Sequence, residues 1–224
     1  METIEINTEY LDITPYKQNR LLDIKYIIIH HTAWSFNGDF NIFIGKWRKD
    51  ISIHYYITKK GEILQFVNDN KIAYHTWSSN IWPKENISGW WWNLNPISVW
   101  IELENRGDLK DNYTKKQIKK LEELTIYLIN KYNISEDNVL WHKEITTRKI
   151  DPSHNFYKWD MEWFRQFLKN NKKNMEKETK KYENIEWFEI FWDMTDNYEI
   201  KKLIEIWLYR YEQNKIEWKL KIRK

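Results

Sequence analysis

Cysteine is absent from this chain, which excludes disulfides, thiolate metal ligands and a thiol nucleophile. Any bound metal must therefore be held by histidine and carboxylate. Glycine and proline are scarce, five and four residues among 224, so extended disorder is not expected over most of the length. No apolar run approaches the ~20 residues of a membrane span. The first residues, Met-Glu-Thr-Ile-Glu-Ile-Asn, lack the basic and apolar regions of a secretory signal, and a cytoplasmic protein is expected. A concentrated basic stripe is also missing. The net charge is only +3, and Lys and Glu alternate nearly everywhere, so no nucleic-acid partner is expected.

Aromatic residues, by contrast, are abundant: fifteen Trp, and 17% Phe, Trp and Tyr together. Exposed Trp and Tyr make platforms for sugar rings or peptide faces, whereas core filling accounts for aromatics of the ordinary kind. The densest group lies in 76–96, with Trp77, Trp82, Trp90, Trp91 and Trp92 among Pro83, Gly89 and Pro96. That stretch has neither a helical nor a strand period. It reads as a loop that packs down, lines a groove, or does both.

Hydrophobic patterning elsewhere predicts an α/β domain. Residues 1–23 read as an arm wrapping it. Tyr26 to Ile29 is a continuous apolar run too short for a helix, as in a buried central strand. Phe40, Phe43, Ile44 and Trp47 keep the spacing of an amphipathic helix. Ile51 to Ile57 and Ile63 to Val67 read as strands joined at Lys59-Lys60-Gly61. Ile97 to Leu103 is the next buried strand. Thr114 and Gln117 have the form of a capping box opening a helix to about Lys131. Val139 to Trp141 is a short final strand, and Asp160 to Lys169 a closing helix. Strands alternating with helices indicate a central mixed β-sheet flanked by helices.

A charged linker is expected over 170–183. Beyond it, 184–224 reads as a small, mainly helical C-terminal extension, with a helical stripe from Ile200 to Tyr211 and an alternating strand from Ile216 to Ile222. The domain itself is expected to fill 1–169. The extension is read either as a docked stabilising element or as an interaction module.

The chemistry-bearing residues fall at strand ends. His30 and His31 close one apolar run, Glu102 and Glu104 share a face of another, and His142 follows a third, with Asp151-Pro152 nearby. A single strand-end histidine is more often a hydrogen-bonded structural residue than a ligand. Two at the ends of separate buried strands, with an aspartate following, suit a catalytic zinc, which takes three protein ligands and leaves one position open.

Five motifs occur in order: Ile-Ile-Ile-His-His-Thr-Ala from 27, His-Tyr-Tyr-Ile-Thr-Lys-Lys-Gly-Glu-Ile from 54, Ala-Tyr-His-Thr from 73, Leu-Asn-Pro-Ile-Ser-Val-Trp-Ile-Glu-Leu-Glu-Asn from 94, and His-Lys-Glu-Ile-Thr-Thr-Arg-Lys-Ile-Asp-Pro from 142. Over about 20–168 this set resembles the type 2 N-acetylmuramoyl-L-alanine amidases. Their fold is shared with phage T7-type lysozyme and the peptidoglycan recognition proteins. The resemblance implies one zinc ion per chain, held by His30, His142 and Asp151. It implies Glu102 as general base and Lys149 as the cation that stabilises an oxyanion. His75, Trp77 and His31 are the implied substrate contacts. The implied reaction is hydrolysis of the amide between the lactyl group of N-acetylmuramic acid and L-alanine, in peptidoglycan or released muropeptides. A non-catalytic peptidoglycan-binding module is the alternative. A monomer is expected, reaching the wall, if it does, by lysis or an unconventional route.

Read without the resemblance, Glu102 is equally an exposed strand carboxylate, Lys149 a solvated surface lysine, and His54 a structural histidine. Four positions depart from the family pattern: Ile53 for a tyrosine, Trp100 for a small residue, Thr76-Trp77 for Ala-Gly, and Ser153 for a glycine. Trp100 is expected to crowd the layer beside it, and the four together bear on groove shape.

Overall fold

The computed structural model describes residues 4–33, 35–75, 94–108, 110–146, 149–152, 156 and 161–182, with side chains to Lys173 in the last helix. Most of the Trp-rich loop, Trp77 included, and the elements expected within 184–224 lie outside the described residues. By its contacts the chain divides between Leu168 and Lys169, and Ile4–Leu168 forms one compact unit.

That unit is organised by a five-stranded sheet in the order β4-β3-β6-β2-β7. Its members are β2 (Tyr26–His31), β3 (Tyr55–Ile57), β4 (Ile63–Gln65), β6 (Ser98–Leu103) and β7 (Val139–Trp141). β3, β6, β2 and β7 run parallel, and β4 is antiparallel to β3. The sheet is mixed, as the pattern predicts. Ile27, Ile28 and Ile29 are fully buried, because a central parallel strand is covered on both faces and needs apolar side chains on each.

The two-residue period of a strand decides what lies where. Ile27, Ile29, Val99, Ile101 and Leu103 pack with Leu121, Leu124 and Leu128 of α2 (Lys115–Tyr132) and with Phe164 and Leu168 of α4 (Met161–Tyr182). Burying each such side chain contributes roughly 1.5–3 kcal/mol. Ile28 and Trp100 turn to the other face and join Leu94, Ile97 and Ile145. His30 and Glu102 share parity with Ile28 and Trp100, so the sheet presents both on the face away from α2.

α2 begins where the Thr114 hydroxyl accepts the Gln117 N–H at 3.1 Å. Only half of the expected capping box forms, since the Gln117 amide instead donates to the carbonyls of Ile57 and Glu104. The helix stops at Asn133, whose φ of 50° is left-handed, a conformation asparagine tolerates.

Three expectations need correction. The first helix, α1, spans Phe36–Phe43 and does not reach Trp47. Gly45, at φ 77°, turns the chain so tightly that a Cβ there would lie 3.1 Å from Pro15 and from Tyr16. The strand expected over 51–57 joins the sheet only from Tyr55. Ser52 instead donates its N–H to the Tyr74 carbonyl at 2.9 Å. Finally, the closing helix expected to end at Lys169 continues as α4 to Tyr182; 161–182 contains neither Gly nor Pro, and Lys and Glu are good helix formers.

The N-terminal arm adds β1 (Lys17–Asn19), which pairs antiparallel with β5 (Lys71–Ala73). Neither is visible as a pattern in three residues. Arg20 locks this pair to the sheet, donating to the carbonyls of Asp69, Asn95, Pro96, Lys71 and Ser98. No described helix is long and apolar enough to cross a membrane.

Candidate active site

Three parallel strands deliver the polar side chains to one end of the sheet. His30 is the penultimate residue of β2, Glu102 the penultimate residue of β6, and the two are direct neighbours in register. His142 follows β7 as the first residue of α3 (His142–Ile145). The Lys143 N–H donates to the Asp151 carbonyl at 3.0 Å, which holds Asp151 against the start of that helix.

The two imidazoles converge on one oxygen. Asp151 Oδ2 lies 2.8 Å from His142 Nδ1 and 3.1 Å from His30 Nδ1, and the two imidazole rings are 3.9 Å apart. Each of the three residues is buried. Burial pushes the His30 imidazole down to about 3, with His142 acting in the same direction and Asp151 opposing. Burial alone would raise the Asp151 carboxyl, but the hydrogen bonds from His142 and His30 outweigh it and hold it well below the usual carboxylate range. One donor atom from each of the three lies within 4.8 Å of the others. Nitrogen and carboxylate donors so placed, three in number, fit a divalent metal of the zinc type with a coordination position to spare.

Glu102 Oε2 lies 3.8 Å from His30 Nδ1 and 3.9 Å from His75 Nε2. It is buried without a hydrogen-bond partner among the described residues. Burial raises this carboxyl well above its ordinary range, helped by the charges of Asp151 and Asp39, while the Lys149 ammonium opposes them. Lys149 itself is exposed, a cation at the rim within electrostatic reach of the buried groups.

Trp100 forms the floor. Its fully buried indole lies parallel to the His75 ring, 4.6 Å away at 7°, and also contacts His30 at 4.4 Å. The crowding expected at this position takes the form of a stack that fixes two imidazoles. Trp100 is itself held by its backbone N–H, which donates to His54 Nδ1 at 3.2 Å. His54 is thus a structural residue behind the site.

His31 is placed apart from the cluster. It projects from the opposite face of β2, where Nδ1 meets the Tyr113 hydroxyl at 2.7 Å. Gly107, at φ 70°, passes so close that a Cβ there would come within 3.2 Å of His31 Nε2. A further group went unread in the sequence. Asp39, from α1, is buried and accepts the Tyr56 hydroxyl at 2.9 Å, and burial raises its carboxyl to about 6. Tyr56 faces Glu102 in register. The only signal for it was an aspartate on the inner side of an aromatic helix.

Comparisons with known proteins accord with this arrangement. The family described as N-acetylmuramoyl-L-alanine amidase matches residues 20–154, a span containing His30, Glu102, His142 and Asp151. The 1,6-anhydro-N-acetylmuramyl-L-alanine amidase AmpD of Haemophilus influenzae is 29% identical over 175 residues, which cover 70% of this chain and 88% of that protein. The N-acetylmuramoyl-L-alanine amidase AmiD of Escherichia coli is 30% identical over 61% of this chain, but the match spans only 51% of AmiD. The solved complex of E. coli AmiD with anhydro-N-acetylmuramic acid-L-Ala-D-gamma-Glu-L-Lys has a TM-score of 0.52 at 30% identity, covering 62% of this chain and 57% of that one. A crystal structure of AmpD, 24% identical, shares the fold with a TM-score of 0.53 over 75% of this chain and 95% of its own. With the matched residues spanning more than half of its length and enclosing the convergent His-His-Asp group, the chain belongs to the N-acetylmuramoyl-L-alanine amidase family.

Proposed function

We propose that the protein is a zinc-dependent amidase that cleaves the amide between the lactyl carbonyl of N-acetylmuramic acid and the L-alanine nitrogen. The observation that carries this reading is the approach of His30 and His142 to a single Asp151 oxygen, with Glu102 3.8 Å from His30. A non-catalytic binding module has no need of a buried carboxylate oxygen without a partner among the described residues beside three metal-capable donors, so the intact set favours catalysis.

His30, His142 and Asp151 would hold the zinc. Bound there, zinc would acidify water and polarise a carbonyl oxygen. Glu102 takes the proton from the attacking water as the new C–O bond forms. When the C–N bond breaks, it passes that proton to the departing alanine nitrogen, a role worth typically about 10²–10⁴-fold. Burial, which raises Glu102's affinity for the proton, suits it to hold that proton between the two steps. Lys149 offers positive charge to the developing oxyanion from the rim. His75, packed against Trp100, and Trp77 are assigned to substrate.

The names of the AmpD relatives and the ligand in the AmiD complex support released anhydro-muropeptides as the substrate class. The same reading assigns catalysis to residues 1–169, in a monomer acting in the cytoplasm. The test is to incubate purified protein with an anhydro-muropeptide and with intact sacculi, with and without chelator, and to follow free peptide by mass spectrometry. Peptide release from the anhydro-muropeptide, abolished by chelator, is expected; no peptide at any zinc loading overturns the reading.

A further inference from the structure

Beside the His30–His142–Asp151 group lies a second set of donors that the proposed reaction leaves only partly used. His30, His75 and Glu102 each offer a donor atom, again within 4.8 Å of one another. His75 Nε2, Glu102 Oε2 and His30 Nε2 are all buried without a hydrogen-bond partner among the described residues. Buried polar atoms are ordinarily paired, and unpaired ones clustered in one place call for a ligand. His75 and Glu102 offer lone pairs from imidazole and carboxylate, the donors that borderline divalent metals prefer. The His75 side chain is also fixed: its ring stacks on the Trp100 indole at 4.6 Å and 7°, so its nitrogen is presented to Glu102 with little freedom to turn away.

We infer that His75 and Glu102, whose Nε2 and Oε2 lie 3.9 Å apart, form a second, weaker position for a divalent metal ion, and that an ion there inhibits the enzyme. His30 borders both groups but serves only the first: with its Nδ1 turned to Asp151 and the first ion, a neutral imidazole has no second lone pair to give. An ion at the second position uses the Glu102 lone pair that would otherwise accept a proton from water. Excess metal therefore switches off the base while the first ion stays in place. The inhibitory effect rests on the role proposed above for Glu102; the existence of the position does not.

The test uses the full chain, stripped of metal and titrated with zinc, with bound ions counted by equilibrium dialysis and elemental analysis. The wild type is expected to take up a second ion more weakly than the first, with turnover falling as it fills. His75→Phe keeps an aromatic ring on Trp100 but removes the nitrogen, and Glu102→Gln removes the charge. Each is expected to retain the first ion and lose the second, so either one decides the matter if the other fails to fold. A wild type that saturates at one ion, or a second ion retained by both variants, overturns the inference. A protein that binds two ions yet cleaves no muropeptide overturns the proposed function and leaves the second position standing.

Discussion

Glu102 stands directly opposite His30 in the register of β6 and β2, with its Oε2 3.8 Å from the imidazole Nδ1. That placement puts a carboxylate beside the metal-capable group without making it one of the pair of contacts on Asp151. In the proposed reaction this placement separates holding the metal from moving the proton. Glu102→Gln should therefore retain bound zinc and lose about 10²–10⁴-fold in turnover, as read by elemental analysis alongside a muropeptide assay. Zinc loss in this variant would make Glu102 a ligand.

Metal retention should depend on His142. Its Nδ1 makes the shorter of the two contacts to Asp151, and the proposed site has only three protein ligands to lose one from. His142→Ala is expected to bind zinc far more weakly than the wild type while keeping the secondary structure, measured by dialysis and circular dichroism. Full zinc occupancy in the variant would show that the donors have been misassigned.

Trp100 should be costly to truncate. Trp100→Ala empties space beneath His30 and His75 and is expected to destabilise by about 3–5 kcal/mol, measured as a shift in urea midpoint. Trp100→Phe should lose less, because it keeps an aromatic floor and removes an indole N–H that is buried without a partner among the described residues. Equal losses for the two would mean that the ring itself contributes little.

Much of this site was legible in sequence because the strands announce it. A buried parallel strand must be apolar on both faces, so Ile27 to Ile29 and Val99 to Ile101 mark where His30 and Glu102 emerge. The alternation of a strand then puts both on one face, and turns His31 away to Tyr113. What was not legible depends on contacts distant in the chain. β1 and β5 are three residues each and exist through their pairing and the Arg20 clamp. The end of α1 is set by the close approach of Pro15 and Tyr16 to Gly45. Trp100 reads as a departure from a small residue; that its bulk becomes a stacking surface for His75 depends on where β5 delivers that histidine.

Acid should weaken the fold in a defined window. His54 is buried, accepts the Trp100 N–H on Nδ1, and lies beside Arg20 and the Lys71 carbonyl. Burial, reinforced by the Arg20 charge, pushes its imidazole down to about 4. The unfolded chain protonates this histidine near pH 6.5 and the folded protein does not. Stability is therefore complete above about 6.5 and is lost as pH falls towards about 4, at roughly 1.4 kcal/mol per unit for one such group. Urea titrations at neutral and acidic pH should show this fall, and His54→Gln should show a shallower one. An unchanged slope in the variant would assign the effect to other buried groups.

The central claim is that a water molecule is delivered to the lactyl carbonyl and the amide C–N bond is cut. It is tested most directly by running the reaction in ¹⁸O-labelled water with an anhydro-muropeptide and zinc-loaded protein, then weighing both products by mass spectrometry. The account predicts the label in the new carboxylate of the anhydro-muramic acid fragment, and an unlabelled peptide bearing a free alanine amine. Label in the peptide, or no cleavage by zinc-loaded protein, would contradict it.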